Sequence, residues 1–186
     1  MSATAASTEI DAGLRARLVA HVRDVPDFPA PGVLFKDITP LLADARAFRD
    51  CVDALAAPWR SDKIDAVCGI EARGFIFGAA LARVLGVGFV PLRKAGKLPV
   101  ATRGIDFGLE YGEARLEIHA DALIPGARAL IVDDVLATGG TLAAAFELVQ
   151  SLGAKVAGAA VVIELAFLKG RARWPADVRL RSLLRY

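Results

Sequence analysis

Residues 129–141 read A-L-I-V-D-D-V-L-A-T-G-G-T and pass directly into L-A-A-A-F-E-L-V-Q. An apolar run meets two adjacent carboxylates, turns through small hydroxyl residues and a diglycine, and becomes helical. Few folds accept that order of groups. A buried strand that delivers the chain into a helix is a βα unit, and such units build parallel sheets covered on both faces. Backbone N–H groups at the helix start face an anion favourably. Asp133 and Asp134 offer acceptors for sugar hydroxyls or for the shell of a metal ion. The string therefore suits a phosphorylated sugar. It has neither the G-K-[ST] of a Walker loop nor the G-x-G-x-x-G of a dinucleotide fold.

The rest of the chain repeats the alternation. Ile64 to Ile70, Gly88 to Leu92, Ala129 to Val132 and Lys155 to Leu165 read as core strands. Gly74 to Leu85 and Leu142 to Leu152 have helical spacing, and Gly153 ends the second helix. Upstream, Leu14, Leu18, Val19 and Val22 predict a helix over Ile10 to Val25, which Pro26, Pro29, Pro31 and Gly32 terminate. Val33 to Ile38 reads as extended, Thr39-Pro40 as a short helix start, and Ala45 to Ala57 as an amphipathic helix broken by Pro58. Lys94 to Gly108 holds three glycines and three basic residues without a sustained period, and reads as a loop. Leu109 to Ile118 alternates as a strand does, and Val178 to Leu184 reads as a last strand. The fold class is α/β, with a central parallel sheet flanked by helices.

Open parallel sheets bind ligands beyond the carboxyl ends of their strands. Four polar or small clusters fall at such ends: Asp133-Asp134 with the diglycine, Glu71-Ala-Arg-Gly, Arg93-Lys94 and Glu164-Leu-Ala-Phe. The fold class makes them converge on one mouth.

Composition narrows the classes further. At 186 residues the chain reads as one domain with a substantial core. A 55% hydrophobic and 24% charged composition is that of a folded chain. A net charge of +2 gives no electrostatic case for nucleic-acid binding. No apolar run reaches the roughly 18 residues that span a bilayer, and the first 20 residues lack the basic start and apolar block of a secretory signal. These features imply no membrane partner and a cytoplasmic protein. Cys51 and Cys68 lack metal-ligand spacing and read as reduced, buried thiols. His21 and His119 read as surface residues, too far apart in sequence for a zinc site.

Beyond 129–141, the chain carries P-D-F-P-A-P-G-V-L-F-K-D-I-T at 26–39, G-I-E-A-R-G-F-I-F-G at 69–78, P-L-R-K-A-G-K-L-P at 91–99 and L-E-Y-G-E-A-R-L-E-I at 109–118. From about residue 22 onward these resemble the adenine phosphoribosyltransferases, within the type I phosphoribosyltransferase family. The 26–39 and 109–118 segments are the specific ones, since other type I members differ there. The resemblance implies purine salvage: the 5-phosphoribosyl group of phosphoribosyl diphosphate (PRPP) passes to N9 of adenine, giving AMP and pyrophosphate. It implies a small N-terminal hood over about 1–40, a flexible catalytic lid over 94–108, a homodimer and magnesium. The ion is expected to sit on PRPP oxygens and water, with no direct protein ligand.

The same resemblance assigns roles. Ala137, Thr138, Gly139, Gly140 and Thr141 cradle the 5′-phosphate, where a side chain at Gly139 is expected to fill the phosphate's place. Asp133 and Asp134 hold the ribose hydroxyls. Arg73 contacts pyrophosphate beside a cis Glu71–Ala72 bond, and Arg93, Lys94 and Lys97 gather the same group. Glu110 exchanges a proton at N7 of adenine, and Tyr111 closes over the ribose. The backbone of Lys36 reads N1 and N6 of the base, between Leu34 and Leu165. The lid wording V-A-T-R-G-I-D-F-G departs from the family's richer Ser, Thr and Tyr content.

Two other functions share these motifs. One is a PRPP-binding regulatory module without catalysis, for which the first 25 residues are too short and too uncharged to supply a nucleic-acid-binding segment. The other is a 6-oxopurine phosphoribosyltransferase. Such enzymes place a Lys near the segment 164–167 to meet O6, and this chain has none at its start.

Overall fold

The computed structural model describes residues 10–109 and 112–186. The chain divides into two compact units, one ending at Ala54 and the other running from Leu55 to Tyr186.

In the first unit, α1 spans Ala12–Val19, capped by the Asp11 side chain, which accepts the Leu14 N–H at 3.0 Å. The helix expected over residues 10–25 therefore stops early. Residues Arg23–Pro26 form β1, paired antiparallel with β2, Leu34–Asp37. Pairing with β2 decides the change, and Pro26 adds to it only locally, by disfavouring helical dihedrals at Val25. A short helix α2 covers Thr39–Ala43, and α3 covers Ala45–Ala56. The Asp44 carboxylate caps α3 by accepting the Ala47 N–H at 2.7 Å. His21 is at the surface but partly covered, with Nδ1 2.8 Å from the Arg17 carbonyl.

The second unit is a seven-stranded sheet with two long helices. In chain order it contains β3 (Ala66–Ile70), α4 (Gly74–Leu85), β4 (Gly88–Lys94), β5 (Thr102–Leu109) and β6 (Gly112–His119). β7 (Arg128–Leu136), α5 (Gly140–Ser151), β8 (Lys155–Glu164) and β9 (Leu180–Arg185) complete it. The strand order is β5-β6-β4-β3-β7-β8-β9. The block from β4 to β9 is parallel, as the alternation requires. β6 joins β4 antiparallel and β5 joins β6 antiparallel, so the whole sheet is mixed.

β5 corrects the loop reading of 94–108. Only the stretch between Lys94 and Thr102 lacks strand structure. The pairing runs from Thr102↔His119 to Leu109↔Gly112. Ile105 and Phe107 pack on the core, while Gly104, Asp106 and Gly108 alternate with them. Three glycines in one region hid this period-two pattern. Gly104 has a packing reason: a Cβ there would lie 2.5 Å from Nη2 of Arg115, whose guanidinium crosses the strand and pairs with Asp106 at 2.8 Å. The following strand starts at Gly112, later than its apolar pattern suggests.

β3 is buried along its whole length, and β7 and β8 along most of theirs. Helix α4 lies close on this sheet because Gly69 and Gly78 leave room for Phe89. A Cβ on either would come within 3 Å of its ring. Trp59 is fully buried, and its ring takes the space that a side chain at Gly158 would need. Cys51 and Cys68 are free and buried, and burial pushes both thiols up to about 12. His119, at the end of β6, is half-buried, with Nδ1 enclosed and lacking a hydrogen-bond partner among the described residues. No helix among the described residues is long and apolar enough to cross a membrane.

Candidate active site

Parallel pairing of β4, β3, β7 and β8 brings Lys94, Ile70, Leu136 and Glu164 to one edge of the sheet. The four clusters read from the sequence lie along that edge. β7 runs on to Leu136, so Asp133 and Asp134 belong to the strand itself and point to opposite faces of it.

The acid pair is the electrostatic centre. Asp134 is 5% exposed, and its Oδ2 lies 2.8 Å from Nε of Arg73. The Asp134 backbone N–H donates to Oδ1 of Asp133 at 2.9 Å. Arg73 is the residue before α4, and the Glu71–Ala72 peptide that precedes it is cis. Gly74 lets the start of α4 touch the end of β7, since a Cβ there would lie 2.9 Å from Oδ1 of Asp133. Burial, and then the neighbouring charge of Asp134, hold the Asp133 carboxyl well above the ordinary carboxylate range. Burial also raises Asp134, with Arg73 pulling the other way.

The turn from Ala137 to Gly139 leads into α5, with Thr141 in its first turn. Gly139 has φ +83°, in the left-handed region that glycine alone enters at no steric cost. Its missing Cβ points at the carbonyl of Gly170, and the missing Cβ of Gly170 points back at the carbonyl of Ala137. The expectation that a Gly139 side chain would fill the phosphate's place is therefore wrong in direction. It would meet the backbone after β8.

On the other flank, Arg93 Nε donates to Oε2 of Glu71 at 2.9 Å, and its Nη1 donates to the Lys97 carbonyl at 3.0 Å. Glu117, 9% exposed on β6, accepts the Gly96 N–H at 3.0 Å. Lys94 and Lys97 are exposed and form no ion pair among the described residues. This edge thus combines a glycine turn at a helix start, an acid pair of which Asp134 is bridged to Arg73, and a turn with two cations that pair with no described residue. That set suits a phosphorylated sugar bearing a second anionic group.

The Phosphoribosyl transferase domain model matches residues 41–179. The adenine phosphoribosyltransferase of Thermobifida fusca is 60% identical over 163 residues, 88% of this chain and 92% of that protein. This chain belongs to the adenine phosphoribosyltransferase family. Solved members of the family share its fold. The Rhodothermus marinus enzyme has a TM-score of 0.90 at 48% identity, covering 95% of this chain and 100% of that one. The Saccharomyces cerevisiae enzyme, complexed with an imino-altritol bisphosphate and adenine, has a TM-score of 0.88 at 41% identity, covering 94% and 100%.

The adenine phosphoribosyltransferase assignments fall on both units. Leu34 and Lys36 lie on β2 in the first, where Leu34 is 47% exposed and Lys36 Nζ pairs with Asp24 at 2.6 Å. Leu165, half-buried, follows β8 in the second. Glu110 and Tyr111 lie outside the described residues.

Sequence reasoning placed Glu164 and Leu165 at this edge but missed the turn at 170–173 that holds Glu164. Glu164 is 2% exposed and takes a two-pronged contact from Arg171, at 3.0 and 2.5 Å, and a 2.7 Å bond from Ser182 Oγ. It braces this edge rather than facing a ligand. The signal was the basic string G-R-A-R at 170–173 shortly after a strand-end glutamate. Hydrogen bonds from Arg171 hold the Glu164 carboxyl below the ordinary range. Its contribution to stability is therefore full above about pH 4.5, its ordinary value, and fades as pH falls through the lower folded value. Glu164→Gln is expected to cost about 1.5–3 kcal/mol at pH 7, read from the urea midpoint. The gap from wild type should narrow in acid, and equal midpoints at pH 7 would remove Glu164 as a brace.

Proposed function

We infer that the protein transfers the 5-phosphoribosyl group of PRPP to N9 of adenine, releasing pyrophosphate and forming AMP in purine salvage. The observation that carries this reading is the acid pair and glycine turn set together at one sheet edge. It stands in a chain 60% identical to a named adenine phosphoribosyltransferase. Asp133 and Asp134 accept the ribose 2′- and 3′-hydroxyls, and N–H groups of 137–141 receive the 5′-phosphate. Arg73, Arg93, Lys94 and Lys97 gather the pyrophosphate end. As the C1′–O bond breaks, negative charge moves onto that end and positive charge onto the sugar. Fixed charges of opposite sign already stand on each side.

Leu34, Lys36 and Leu165 are the adenine residues of this reading, on the strength of the resemblance. The reading also takes residues 94–108, from the end of β4 through most of β5, as the lid, and brings with it a homodimer and a cytoplasmic setting. Magnesium would be held on PRPP oxygens and water, with no direct protein ligand. The hard carboxylate oxygens of Asp133 and Asp134 fit its water shell, and when bound the ion would neutralise charge on the departing pyrophosphate.

The deciding experiment is AMP formation from adenine and PRPP with magnesium, against guanine, hypoxanthine and xanthine. Product from a 6-oxopurine alone would overturn the adenine assignment. Glu110→Ala is expected to lower turnover by about 10²–10⁴-fold, the range for a lost general acid or base, with little loss of PRPP affinity. Steady-state kinetics with isothermal titration of PRPP check it, and unchanged turnover would take Glu110 off the reaction path.

A further inference from the structure

We propose that the Arg173 guanidinium is an additional ligand of the substrate's 5′-phosphate, closing the cradle from the side of the β8–β9 connection. This rests on the functional reading above and adds to it a residue that no cradle motif contains.

The 170–173 turn is held on three sides. Its first residue, Gly170, interlocks with the backbone of Ala137 and Gly139 so tightly that neither glycine has room for a side chain. Arg171 is pinned to Glu164 and donates from Nη1 to the Leu180 carbonyl at 3.1 Å. Trp174 is 7% exposed, stands edge-on to Phe146 of α5 with ring centroids 5.3 Å apart, and donates to the Val178 carbonyl at 2.8 Å. Arg173 lies between these anchors, so its Cα is fixed relative to α5. Its Nη1 lies 3.4 Å from where a Cβ of Gly140 would stand, at the first residue of α5.

Charge makes that position informative. The start of α5 carries the positive end of the helix dipole, and its first turn holds no acidic residue. Arg173 adds a full positive charge there, and among the described residues no carboxylate pairs with it. The Gly108 carbonyl of β5 lies 3.3 Å from the same Gly140 Cβ position, but a carbonyl dipole is no match for a full positive charge beside a helix start, and an anion set against both offsets them. A phosphate dianion does so, and the planar guanidinium can engage two of its oxygens. Arg173 is exposed, so its head can follow the anion while its backbone stays fixed.

Arg173→Ala and Arg173→Gln are compared with wild type by isothermal titration with AMP, ribose 5-phosphate and adenine. Loss of one charge-assisted contact predicts about 10- to 100-fold weaker binding of the two phosphate ligands and unchanged binding of adenine. The salt dependence of AMP affinity should also become shallower. Thermal unfolding identifies which variant is folded, and Gln serves if Ala is not. Wild-type AMP affinity retained by a folded variant overturns the proposal while leaving the enzyme assignment intact. A wild-type protein that binds neither AMP nor PRPP defeats that assignment instead.

Discussion

Gly139→Val is expected to yield a protein that no longer binds PRPP and unfolds at least several degrees below wild type. Two separate costs combine. At φ +83° a residue with a Cβ is strained by roughly 1–2 kcal/mol, and a β-branched one by more. The added carbons also run into the carbonyl of Gly170, whose own turn is locked to Glu164 and to α5. The clash cannot relax by rotating a side chain, because backbone meets backbone. Moving either strand-to-turn segment breaks the alignment of the N–H groups at the start of α5. A combined cost of about 3 kcal/mol corresponds to roughly 6–12 °C for a protein of this size. Calorimetric unfolding and PRPP titration measure the two effects together. Val at 139 with a wild-type melting temperature would show that the interlock with Gly170 is not rigid. Gly139→Ala meets the same carbonyl and the same dihedral with less bulk, so it should fall in between.

That correction shows what the chain discloses locally and what it does not. The apolar runs at 64–70, 129–132 and 155–165 were legible because strands buried on both faces need no alternation. The T-G-G-T turn was legible because its residue types serve one backbone geometry. The direction of the Gly139 Cβ was not, because it depends on Gly170, which only the packing of β8 beside β7 brings near. Arg171 and Arg173 look like a solvated basic patch until Glu164 is seen to claim one of them. β5 was lost for another reason: Gly104, Asp106 and Gly108 occupy the face of the strand opposite Ile105 and Phe107, and Arg115 supplies the bulk that Gly104 lacks. β1 was lost to a helical period that continues up to Pro26, although pairing with Leu34–Asp37 decides the backbone there.

Asp133→Asn is expected to be more stable than wild type at pH 7 and to have lost about 10²-fold or more in activity. In the folded chain, burial and the charge of Asp134 lift the Asp133 carboxyl well above its ordinary 3.8. A raised folded value means that the folded state holds the proton more tightly than the unfolded chain. Stability from this group therefore falls as pH climbs from about 4 through the folded value, and the penalty is complete above it. Asparagine keeps an oxygen to accept the Asp134 N–H, now 2.9 Å away, but carries no charge to desolvate. It also leaves Arg73 and Asp134 as a simple pair. The melting temperature of the variant should match wild type near pH 4 and rise above it as pH increases. Each kcal/mol would appear as roughly 2–4 °C. The activity falls because a neutral amide is a weaker acceptor for ribose hydroxyls and no longer favours positive charge at C1′. Hydrogen bonds to charged groups are worth about 1.5–3 kcal/mol each, which sets the 10²-fold scale. PRPP with magnesium should restore the order, protecting wild type far more than the variant. An Asp133→Asn protein less stable than wild type across pH 6–8 would mean that the carboxylate is held there by stabilising contacts. The acid pair would then be a structural brace. A gain in stability coupled to loss of turnover instead marks a charge that the fold tolerates because the sugar needs it.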